Sequence, residues 1–594
     1  MTYFESVLVA NRGEISRRVT RTLARLGIRS IAIYTDVDAG APHTREADEA
    51  VRVASYLEID AVIEAAKGAG AAAVHPGYGF LSENAAFAKA CADADIVFIG
   101  PSPEAIELMG DKVRAKAAAE EAGVPVVPSY TADEARKSDD YPLLVKAAAG
   151  GGGRGMRVVE KPEDLDAAVE SAQREAKAGF GDDRVFIEKF VPRARHIEVQ
   201  MIGDIALGER ECSLQRRHQK LVEEAPSAAV SPELREQLCA EASALAKAAG
   251  YENAGTVEFI ADADDPSVHF FLEMNARLQV EHPVTEMVTG LDLVELQLRA
   301  AAGAALGISQ TPTLQGHAIE VRVNAEDRAF LPSTGTVLEY RRPPGVRVDD
   351  AIETGSVVGT DYDSLLAKII VHGDDRDAAV AKLDRALSQT AILGVTTNVG
   401  VLRSLLALDD VRTNAVDTTL VERVDLPDPP HDNEAVMRAA ALAQRGPGGG
   451  WRLGGPPAPS WWLFSVEGEE PEEIVLEASA DADPRWIVAH QGEDLWVARD
   501  GYTWKVHSPS VEEAHAVAAD GDLTAPMPGS VLKVNFKEGD EVKEGDAIVV
   551  VESMKMEMTL SAPGDGVVSV VLVKEGERVN KDQHLASVEL SEDD

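Results

Sequence analysis

The chain has 594 residues, which is long enough for several domains, and its 45% of hydrophobic residues suffices for buried cores. The formal net charge of −43 at pH 7 disfavours nucleic acid and anionic membranes as partners, because both would repel the chain. The three cysteines have neither metal nor disulfide spacing, so we expect a reducing, cytoplasmic environment. The sequence predicts no signal peptide and no membrane span.

Strands and helices are predicted to alternate from residue 6 onward. Residues 7–10 and 31–34 are short apolar runs, and Val19, Leu23 and Leu26 follow a helical spacing between them. This rhythm predicts a parallel sheet covered by helices.

A glycine-rich loop at residues 150–155 follows a predicted strand at 143–146. Successive glycines let backbone N–H groups approach phosphate oxygens, and Arg154 would add positive charge. The loop lacks the ending of a Walker motif and the distant acidic residue of a dinucleotide fingerprint. Alone, such a loop is more often a flexible connection than a phosphate site.

Two carboxylates lie in predicted strands. Glu258 lies in residues 255–259, and Glu273 lies in residues 270–275 with Asn275 on the same face. Their oxygens are suitable ligands for Mg²⁺ if the strands are adjacent. The alternative is that both acids face solvent on strand edges.

A polar run follows at residues 277–283. In an extended segment Arg277, Gln279 and Glu281 would share one face. That face could hold a small anion with Arg277 and remove its proton with Glu281. A further polar run at 212–220 is most simply a solvated charged loop.

The composition changes near residue 445. Six glycines and four prolines among residues 445–460 predict a linker. Residues 461–510 hold five of the six tryptophans and strand-like patches, which predicts a small β-rich segment. The acidic, alanine-rich residues 511–524 predict a tether.

The C-terminal part contains an internal repeat with an offset of 37 residues, which superposes Ala525 on Ala562 and residues 537–539 on 574–576. The repeat predicts a two-fold related β module. Lys555 falls between the halves, where a hairpin turn would present it to solvent. A lysine in that place suits covalent attachment of a swinging cofactor.

With Met554 and Met556 beside Lys555, this module resembles the biotin carrier domain of biotin-dependent carboxylases. The lipoyl domain shares the repeat but usually has an aspartate before the lysine. Ser553 departs from the alanine that is usual in biotin sites.

Residues 5 to about 440 resemble biotin carboxylase, an ATP-grasp enzyme. The resemblance is carried by the glycine loop and by residues 10–15, 75–84, 109–112, 215–220 and 275–283. It implies a multidomain α/β fold, then a small β-rich segment and an all-β flattened-barrel biotinyl domain. The implied domains are an N-terminal α/β domain (1–112), an ATP-grasp region (113–302, with a lid at about 130–190), a C-terminal domain (303–446), a linker and β-rich docking segment (447–520) and the biotin carrier domain (521–594).

The resemblance also implies roles for individual residues. ATP would be bound by Lys112, Lys146, Gly152, Gly153, Glu188, Lys189, Val191, His196, Gln215, His218, Glu258 and Glu273. Magnesium or manganese would be held by Glu258, Glu273 and Asn275, and bicarbonate by Lys220, Arg277, Gln279 and Val280. The implied catalytic residues are the general base Glu281, Arg322 for the biotin enolate, Lys220 and Arg277, and biotin would be attached to Lys555.

The sequence shows no carboxyltransferase module, so we expect a separate carboxyltransferase β subunit, docked on residues 461–510, in a hetero-oligomer. A biotin protein ligase would be a second partner. The implied protein is therefore the α subunit of an acyl-CoA carboxylase, for which acetyl-, propionyl- and methylcrotonyl-CoA all remain open. The other classes weighed are a carrier with a degenerate ATP-grasp domain, a lipoyl-bearing dehydrogenase component, and a pyruvate or urea carboxylase.

Overall fold

The computed structural model describes residues 3–147, 156–180, 184–445, 459–466, 469, 471–477, 480–508, 521–554 and 556–590. The predicted phosphate-binding Gly152 and Gly153 and the predicted biotin-bearing Lys555 lie outside these residues. Within them, no helix is long and apolar enough to cross a membrane.

The N-terminal part is a parallel sheet with strand order β3-β2-β1-β4-β5. Its elements are β1 (Ser6–Val9), α1 (Gly13–Leu26), β2 (Arg29–Tyr34), α2 (Pro42–Glu46), β3 (Glu49–Arg52), α3 (Ile59–Gly68), β4 (Ala73–His75), α4 (Ala85–Asp93), β5 (Val97–Phe98) and α5 (Pro103–Gly110). Val19 and Leu23 of α1 are fully buried, as the helical spacing predicts, and α1 ends at Gly27, whose φ of 70° is left-handed. The predicted parallel sheet is confirmed.

A small antiparallel sheet with order β6-β9-β7-β8 follows α6 (Lys112–Glu121). Its elements are β6 (Ser129–Tyr130), α7 (Ala132–Ala135), β7 (Leu143–Ala147), β8 (Met156–Val159), α8 (Leu165–Phe180) and β9 (Val185–Lys189). It has its own apolar core around Leu143, Val145 and Ile187, and we call it the lid sheet because it lies within the predicted lid at about 130–190.

The main body is an eight-stranded sheet with order β14-β13-β10-β11-β12-β15-β20-β18. Its first elements are β10 (Ala194–Ile202), β11 (Ile205–Arg216), β12 (Gln219–Ala225), α9 (Pro232–Ala248), β13 (Ala254–Asp262), β14 (His269–Asn275), α10 (His282–Thr289) and α11 (Leu293–Ala301). The remaining elements are β15 (His317–Asn324), β16 (Gly335–Thr336), β17 (Glu339–Arg341), β18 (Arg347–Asp350), β19 (Val357–Val358), β20 (Leu365–Gly373), α12 (Arg376–Ser388), β21 (Ala391–Leu393), α13 (Val399–Ala407), α14 (Asp409–Arg412) and α15 (Leu420–Arg423). The sheet is continuous across the predicted boundary at residue 302, so this boundary does not separate two sheets.

The β-rich segment is a five-stranded antiparallel sheet with order β23-β22-β26-β25-β24 that packs on α16 (Asn433–Arg445). Its strands are β22 (Ser460–Val466), β23 (Glu472–Leu476), β24 (Ile487–Gln491), β25 (Asp494–Arg499) and β26 (Tyr502–His507). The β-rich prediction is confirmed.

Two features of this segment are not evident from its sequence, which predicts a linker followed by a small β-rich piece. Its tryptophans are not generally exposed, since Trp496 is only 5% exposed and α16 supplies a core for most of the others, while Trp461 is 70% exposed. The segment is also not mechanically separate from the catalytic half. Trp496 packs on β21 of the catalytic half. The ring of Tyr502 packs directly on Gly400 of α13, so closely that a Cβ atom at Gly400 would lie only 2.6 Å from it.

The C-terminal domain consists of two four-stranded antiparallel sheets with orders β27-β34-β32-β29 and β31-β30-β28-β33. The strands are β27 (Asp522–Thr524), β28 (Gly529–Val534), β29 (Glu541–Val542), β30 (Ala547–Ser553), β31 (Met556–Ser561), β32 (Gly566–Val571), β33 (Arg578–Val579) and β34 (His584–Leu590). Moving the bounds of β28, β29 and β30 by 37 residues gives those of β32, β33 and β34. The repeat is therefore a structural two-fold, as predicted.

Candidate active site

A cavity of about 1290 Å³ lies where the N-terminal sheet, the lid sheet and the eight-stranded sheet meet. The predicted site residues that line it are Lys112, Lys146, Lys189, Val191, His196, Gln215, His218, Lys220, Glu258, Glu273, Asn275, Arg277, Gln279, Val280, Glu281 and Arg322. Residues far apart in sequence thus converge on one space.

Lys220 is the centre of the buried charge in this cavity. Its Nζ lies 2.5 Å from Glu198 Oε2, 2.6 Å from Glu281 Oε1 and 3.1 Å from Glu258 Oε1. Burial lowers the pKa of Lys220, but Glu198, Glu258 and Glu281 together hold it well above its usual value. Lys220 is therefore a permanent cation.

Glu281 lies between two cations. Its Oε1 accepts from Lys220, and its Oε2 accepts from Arg322 Nη2 at 3.1 Å. Burial raises the pKa of Glu281, but Lys220, Arg322 and Arg210 outweigh that effect and hold it well below its usual range. Glu281 is therefore ionised across the neutral range.

Arg277 is held by three oxygen atoms from three directions. It donates to Glu83 Oε2 at 2.9 Å, to Gln279 Oε1 at 2.6 Å and to Asn275 Oδ1 at 2.9 Å. The prediction that Arg277, Gln279 and Glu281 share one face assumed an extended strand, but the segment from Arg277 to Glu281 is not a strand. It is an irregular loop between β14 and α10, yet all three predicted side chains line the cavity.

Glu258 and Glu273 are directly opposite each other on β13 and β14, as the sequence predicts for adjacent strands. Asn275 Nδ2 donates to Glu258 Oε1 at 2.8 Å. Burial raises the pKa of Glu273, and the neighbouring Glu258 raises it further. A divalent cation bound between the two carboxylates would remove their mutual repulsion, so the donor set fits magnesium.

The opposite end of the cavity carries lysines. Glu188 does not line the cavity, but it accepts from Lys146 at 2.8 Å and from Lys116 at 2.7 Å, which orients both ammonium groups. Lys112 lies 3.8 Å from Glu273, at the junction of the lysines and the acidic pair. Cations placed beside a divalent-metal site suit a polyphosphate.

The polar run at 212–220 is a β-hairpin, and the prediction of a solvated loop is wrong. Arg217 and His218 form its tight turn, with φ of 47° and 65°. Cys212 and Gln215 are buried in β11. Lys220 at the end of the run pairs with buried carboxylates from distant parts of the chain, and a local charge count cannot show that. Burial also lowers the pKa of His218, which favours its neutral form.

Several supporting residues were not predicted from the sequence. Glu198 and the fully buried Arg210 are joined at 2.5 Å beneath Lys220, and Glu223 holds Arg322 Nε at 2.6 Å. Lys368 donates to the backbone carbonyl of Val280 at 2.7 Å. Each lies on a strand of the eight-stranded sheet, and a charged residue within an apolar strand, such as Lys368 in β20, is a sequence signal that could have found them.

The carrier domain reaches the same cavity. Ser530, Glu552, Ser553 and Met554 line it together with the catalytic residues. β30 ends at Ser553, which pairs with Met556 of β31, and Met554, which follows Ser553, has φ of 45°. This confirms a hairpin turn at the predicted place.

Four protein-family models match the chain. They are "Biotin carboxylase, N-terminal domain" over residues 3–106, "Carbamoyl-phosphate synthase L chain, ATP binding domain" over 111–309, "Biotin carboxylase C-terminal domain" over 320–423 and "Biotin-requiring enzyme" over 521–588.

Full-length relatives and solved structures agree with these matches. The mitochondrial methylcrotonoyl-CoA carboxylase subunit alpha of Oryza sativa subsp. japonica is 39% identical over 684 residues, covering 97% of this chain and 93% of that protein. The biotin-dependent acyl-coenzyme A carboxylase alpha3 subunit of Mycobacterium leprae is 39% identical over 618 residues, covering 98% of each. The biotin carboxylase domain of Hydrogenobacter thermophilus 2-oxoglutarate carboxylase, solved with MgADP, ADP and bicarbonate, has a TM-score of 0.67 and 44% identity, covering 70% of this chain and 97% of that one.

The fold and the cavity therefore define a biotin carboxylase of the ATP-grasp class joined to a biotinyl carrier domain. ATP and biotin are the substrate and the prosthetic group of such an enzyme. The chain belongs to the family of biotin-dependent acyl-CoA carboxylase α subunits.

Proposed function

We propose that this cavity activates bicarbonate with MgATP and carboxylates a biotin carried on Lys555 of the same chain. The observation that carries the proposal is that the Lys220–Glu281–Arg322 cluster and the hairpin next to Lys555 line one cavity. Because the catalytic cluster and the carrier hairpin already line the same cavity, the carrier domain needs no large movement to bring biotin to the catalytic residues.

In the first step Glu281 acts as the general base toward bicarbonate. The anion is held by Lys220, Arg277, Gln279 and the backbone of Val280. Lys368 fixes Val280 in place by donating a hydrogen bond to its backbone carbonyl. Because the low pKa of Glu281 makes it a weak base, these cations must also lower the pKa of bound bicarbonate. The deprotonated anion then attacks the γ-phosphorus of ATP and gives carboxyphosphate and ADP.

Lys112 and Lys146 would neutralise the phosphates, together with the backbone of Gly152 and Gly153. Glu258, Glu273 and Asn275 would hold magnesium, which supplies charge neutralisation at the transferred phosphoryl group. Lys189 and Val191 at the end of the lid sheet, with His196, Gln215 and His218 on the other wall, would hold the remainder of the nucleotide. The lid sheet would close over ATP and exclude water from carboxyphosphate.

In the second step carboxyphosphate breaks into CO₂ and phosphate. Biotin, when attached, would supply the ureido nitrogen that takes the carboxyl group, and the phosphate released with CO₂ would accept the proton of that nitrogen. Arg322 remains cationic, since its pKa is raised by Glu223 and Glu281 against the opposing effect of burial. It would stabilise negative charge on the ureido oxygen, and Glu223 keeps its guanidinium in place.

The acceptor of the carboxyl group would be an acyl-CoA bound to a separate carboxyltransferase β subunit, in a hetero-oligomer that a biotin protein ligase first modifies. We propose that this subunit docks on Trp461 and Val475, which are directly opposite each other on β22 and the edge strand β23. They are 70% and 50% exposed, and an exposed apolar pair at a sheet edge is suited to a protein interface. The predicted cytoplasmic location stays a prediction, because the rice relative is mitochondrial by name.

The proposal is tested with the purified chain and free biotin as the acceptor. We expect ATP cleavage that requires bicarbonate and magnesium and that increases when free biotin is added. Lys555→Ala should retain this activity, because free biotin replaces the carrier. ATP cleavage that is indifferent to bicarbonate would contradict the proposed function.

A further inference from the structure

Among the residues that the structure describes, an ion pair joins the carrier domain to the catalytic half. Arg578 Nη2 of β33 lies 2.6 Å from Asp361 Oδ1, on the segment between β19 and β20. Asp361 itself lines the central cavity. The pair therefore joins the carrier to the rim of the space in which biotin would react.

Sheet register places this pair beside the predicted attachment turn. Arg578 is directly opposite Ser530 of β28, and Ser530 is directly opposite Glu552 of β30. These three residues form a row across the sheet, one residue before the end of β30. Ser530 and Glu552 line the cavity, so the row is the surface that the carrier turns toward the catalytic half.

The two-fold repeat provides an internal comparison for this row. Its equivalents in the other sheet are Glu541, Val567 and Glu589, which also form a row of opposite residues. That second row holds no cation, and Val567 and Glu589 are exposed where Ser530 and Glu552 are half-buried. The two faces of the carrier thus differ in charge, and only one of them meets the cavity.

Overall charge makes such a contact necessary. Residues 521–594 contain seven lysines and arginines against sixteen aspartates and glutamates, and Arg578 is the single arginine among them. The rest of the chain is acidic as well, so carrier and catalytic half repel each other at long range. A local opposite charge is needed to choose the docking orientation.

Asp361 is well placed to fix that orientation. The adjacent Tyr362 donates to or accepts from Thr35 Oγ1 at 2.6 Å, and the guanidinium carbon of Arg12 lies 4.2 Å from the centre of its ring. The loop that presents Asp361 is therefore tied to the N-terminal sheet rather than free in solvent. Because Asp361 is held in a fixed position, its ion pair with Arg578 can fix the orientation of the carrier domain.

We propose that the Arg578–Asp361 ion pair is the positioning contact that seats the carrier domain on the carboxylation cavity, with the Arg578–Ser530–Glu552 row as its docking face. This rests on the proposed function. Arg578 is a positioning residue, because it touches neither ATP nor bicarbonate. The second face of the carrier, with Glu541 at the equivalent place, does not dock here.

The test uses the biotinylated full-length chain in single-turnover transfer of label from ¹⁴C-bicarbonate to protein-bound biotin, beside carboxylation of added free biotin. Arg578→Glu replaces attraction by repulsion, and we expect about a tenfold slower transfer to the carrier with free-biotin carboxylation unchanged. Lys543→Glu, which makes the same charge change at an exposed position next to β29 in the opposite sheet, should change neither rate by more than about twofold. Arg578→Glu combined with Asp361→Arg should recover most of the transfer rate. Added salt should narrow the difference in rate between the wild type and Arg578→Glu, because it screens the attraction in the first and the repulsion in the second.

Equal transfer rates for Arg578→Glu and Lys543→Glu would overturn the docking role, and so would an equal loss with free biotin. Failure of the reversed pair to recover transfer would also overturn it. A wild-type chain that carboxylates neither acceptor would instead contradict the proposed function, and the docking role with it.

Discussion

Glu281 is the residue on which bicarbonate activation depends. Both of its oxygens are engaged by cations, and its pKa is held well below the usual range, so it is ionised at working pH. We expect Glu281→Gln to lower bicarbonate-dependent ATP cleavage by about a hundredfold or more, the scale of a lost general base. Because the group is ionised down to acidic pH, the acid limb of the wild-type pH profile should not be that of an ordinary glutamate. Near-normal turnover of Glu281→Gln with MgATP binding intact would reject the role.

Glu320 provides a matched control one strand away. Both its carboxyl oxygens are buried without a hydrogen-bond partner among the described residues. Burial, and then Glu223 and Glu14, hold its pKa well above the usual value despite Lys368 and Arg322. These effects favour its neutral form, which glutamine resembles, so Glu320→Gln should retain activity within about threefold. A loss comparable to that of Glu281→Gln would show that Glu320 is charged.

The raised pKa of Glu320 also sets a pH dependence of stability. Above the unfolded-state pKa of about 4.3 the native state holds a proton that the unfolded state has lost, so this group's contribution to the free energy of unfolding falls as pH rises. Glutamine removes the effect. The melting temperature of Glu320→Gln, relative to the wild type, should therefore increase between pH 5 and pH 8. An unchanged difference across that range would contradict it.

At the scale of elements, α16 belongs to the β-rich sheet rather than to the catalytic half. Its Val436, Met437 and Ala440 are buried against β22, β25 and β26. A fragment of residues 1–445 would expose this apolar face, whereas a fragment of residues 1–430 would lack it. We expect the longer fragment to self-associate more than the shorter one in size-exclusion chromatography. Equal behaviour would mean that α16 packs elsewhere when its sheet is removed.

Local pattern predicted the regular elements well, and it failed where partners are distant. The repeat with its offset of 37 residues, the βαβ rhythm and the facing Glu258 and Glu273 are all periodic features, and each is confirmed. The hairpin of β11 and β12 was taken for a solvated loop because Glu198 and Glu281, which neutralise Lys220, lie far away in sequence. The sequence does not predict the burial of Trp496, because β21, which lies far away in the chain, supplies its environment.

At the scale of the whole molecule, Trp461 separates assembly from catalysis. It is 70% exposed on β22, the strand next to the edge strand β23. We expect Trp461→Glu to lower co-purification with the β subunit and acyl-CoA carboxylation at least tenfold, since tryptophan is the residue most enriched at binding hot spots. Carboxylation of free biotin should be unchanged, because no described contact links Trp461 to the cavity.

The control for Trp461→Glu is an exposed apolar residue on another part of the molecule. Val357→Glu suits this purpose, since Val357 is 79% exposed and lies in β19. It should leave assembly intact. If Trp461→Glu and Val357→Glu assemble with the β subunit equally well, Trp461 is not part of the interface, and the interface lies on another surface such as the catalytic half.

The most direct test of the central claim follows the carboxyl group within one chain. Biotinylated protein is mixed with MgATP and ¹⁴C-bicarbonate in the absence of any β subunit and acyl-CoA, and the protein is separated and digested under alkaline conditions. We expect close to one equivalent of label per biotin on the peptide that contains Lys555, and none in Lys555→Ala or Glu281→Gln. Label that appears at the same level in Lys555→Ala, or no label on a fully biotinylated wild-type chain, would contradict the claim that this chain carboxylates its own carrier.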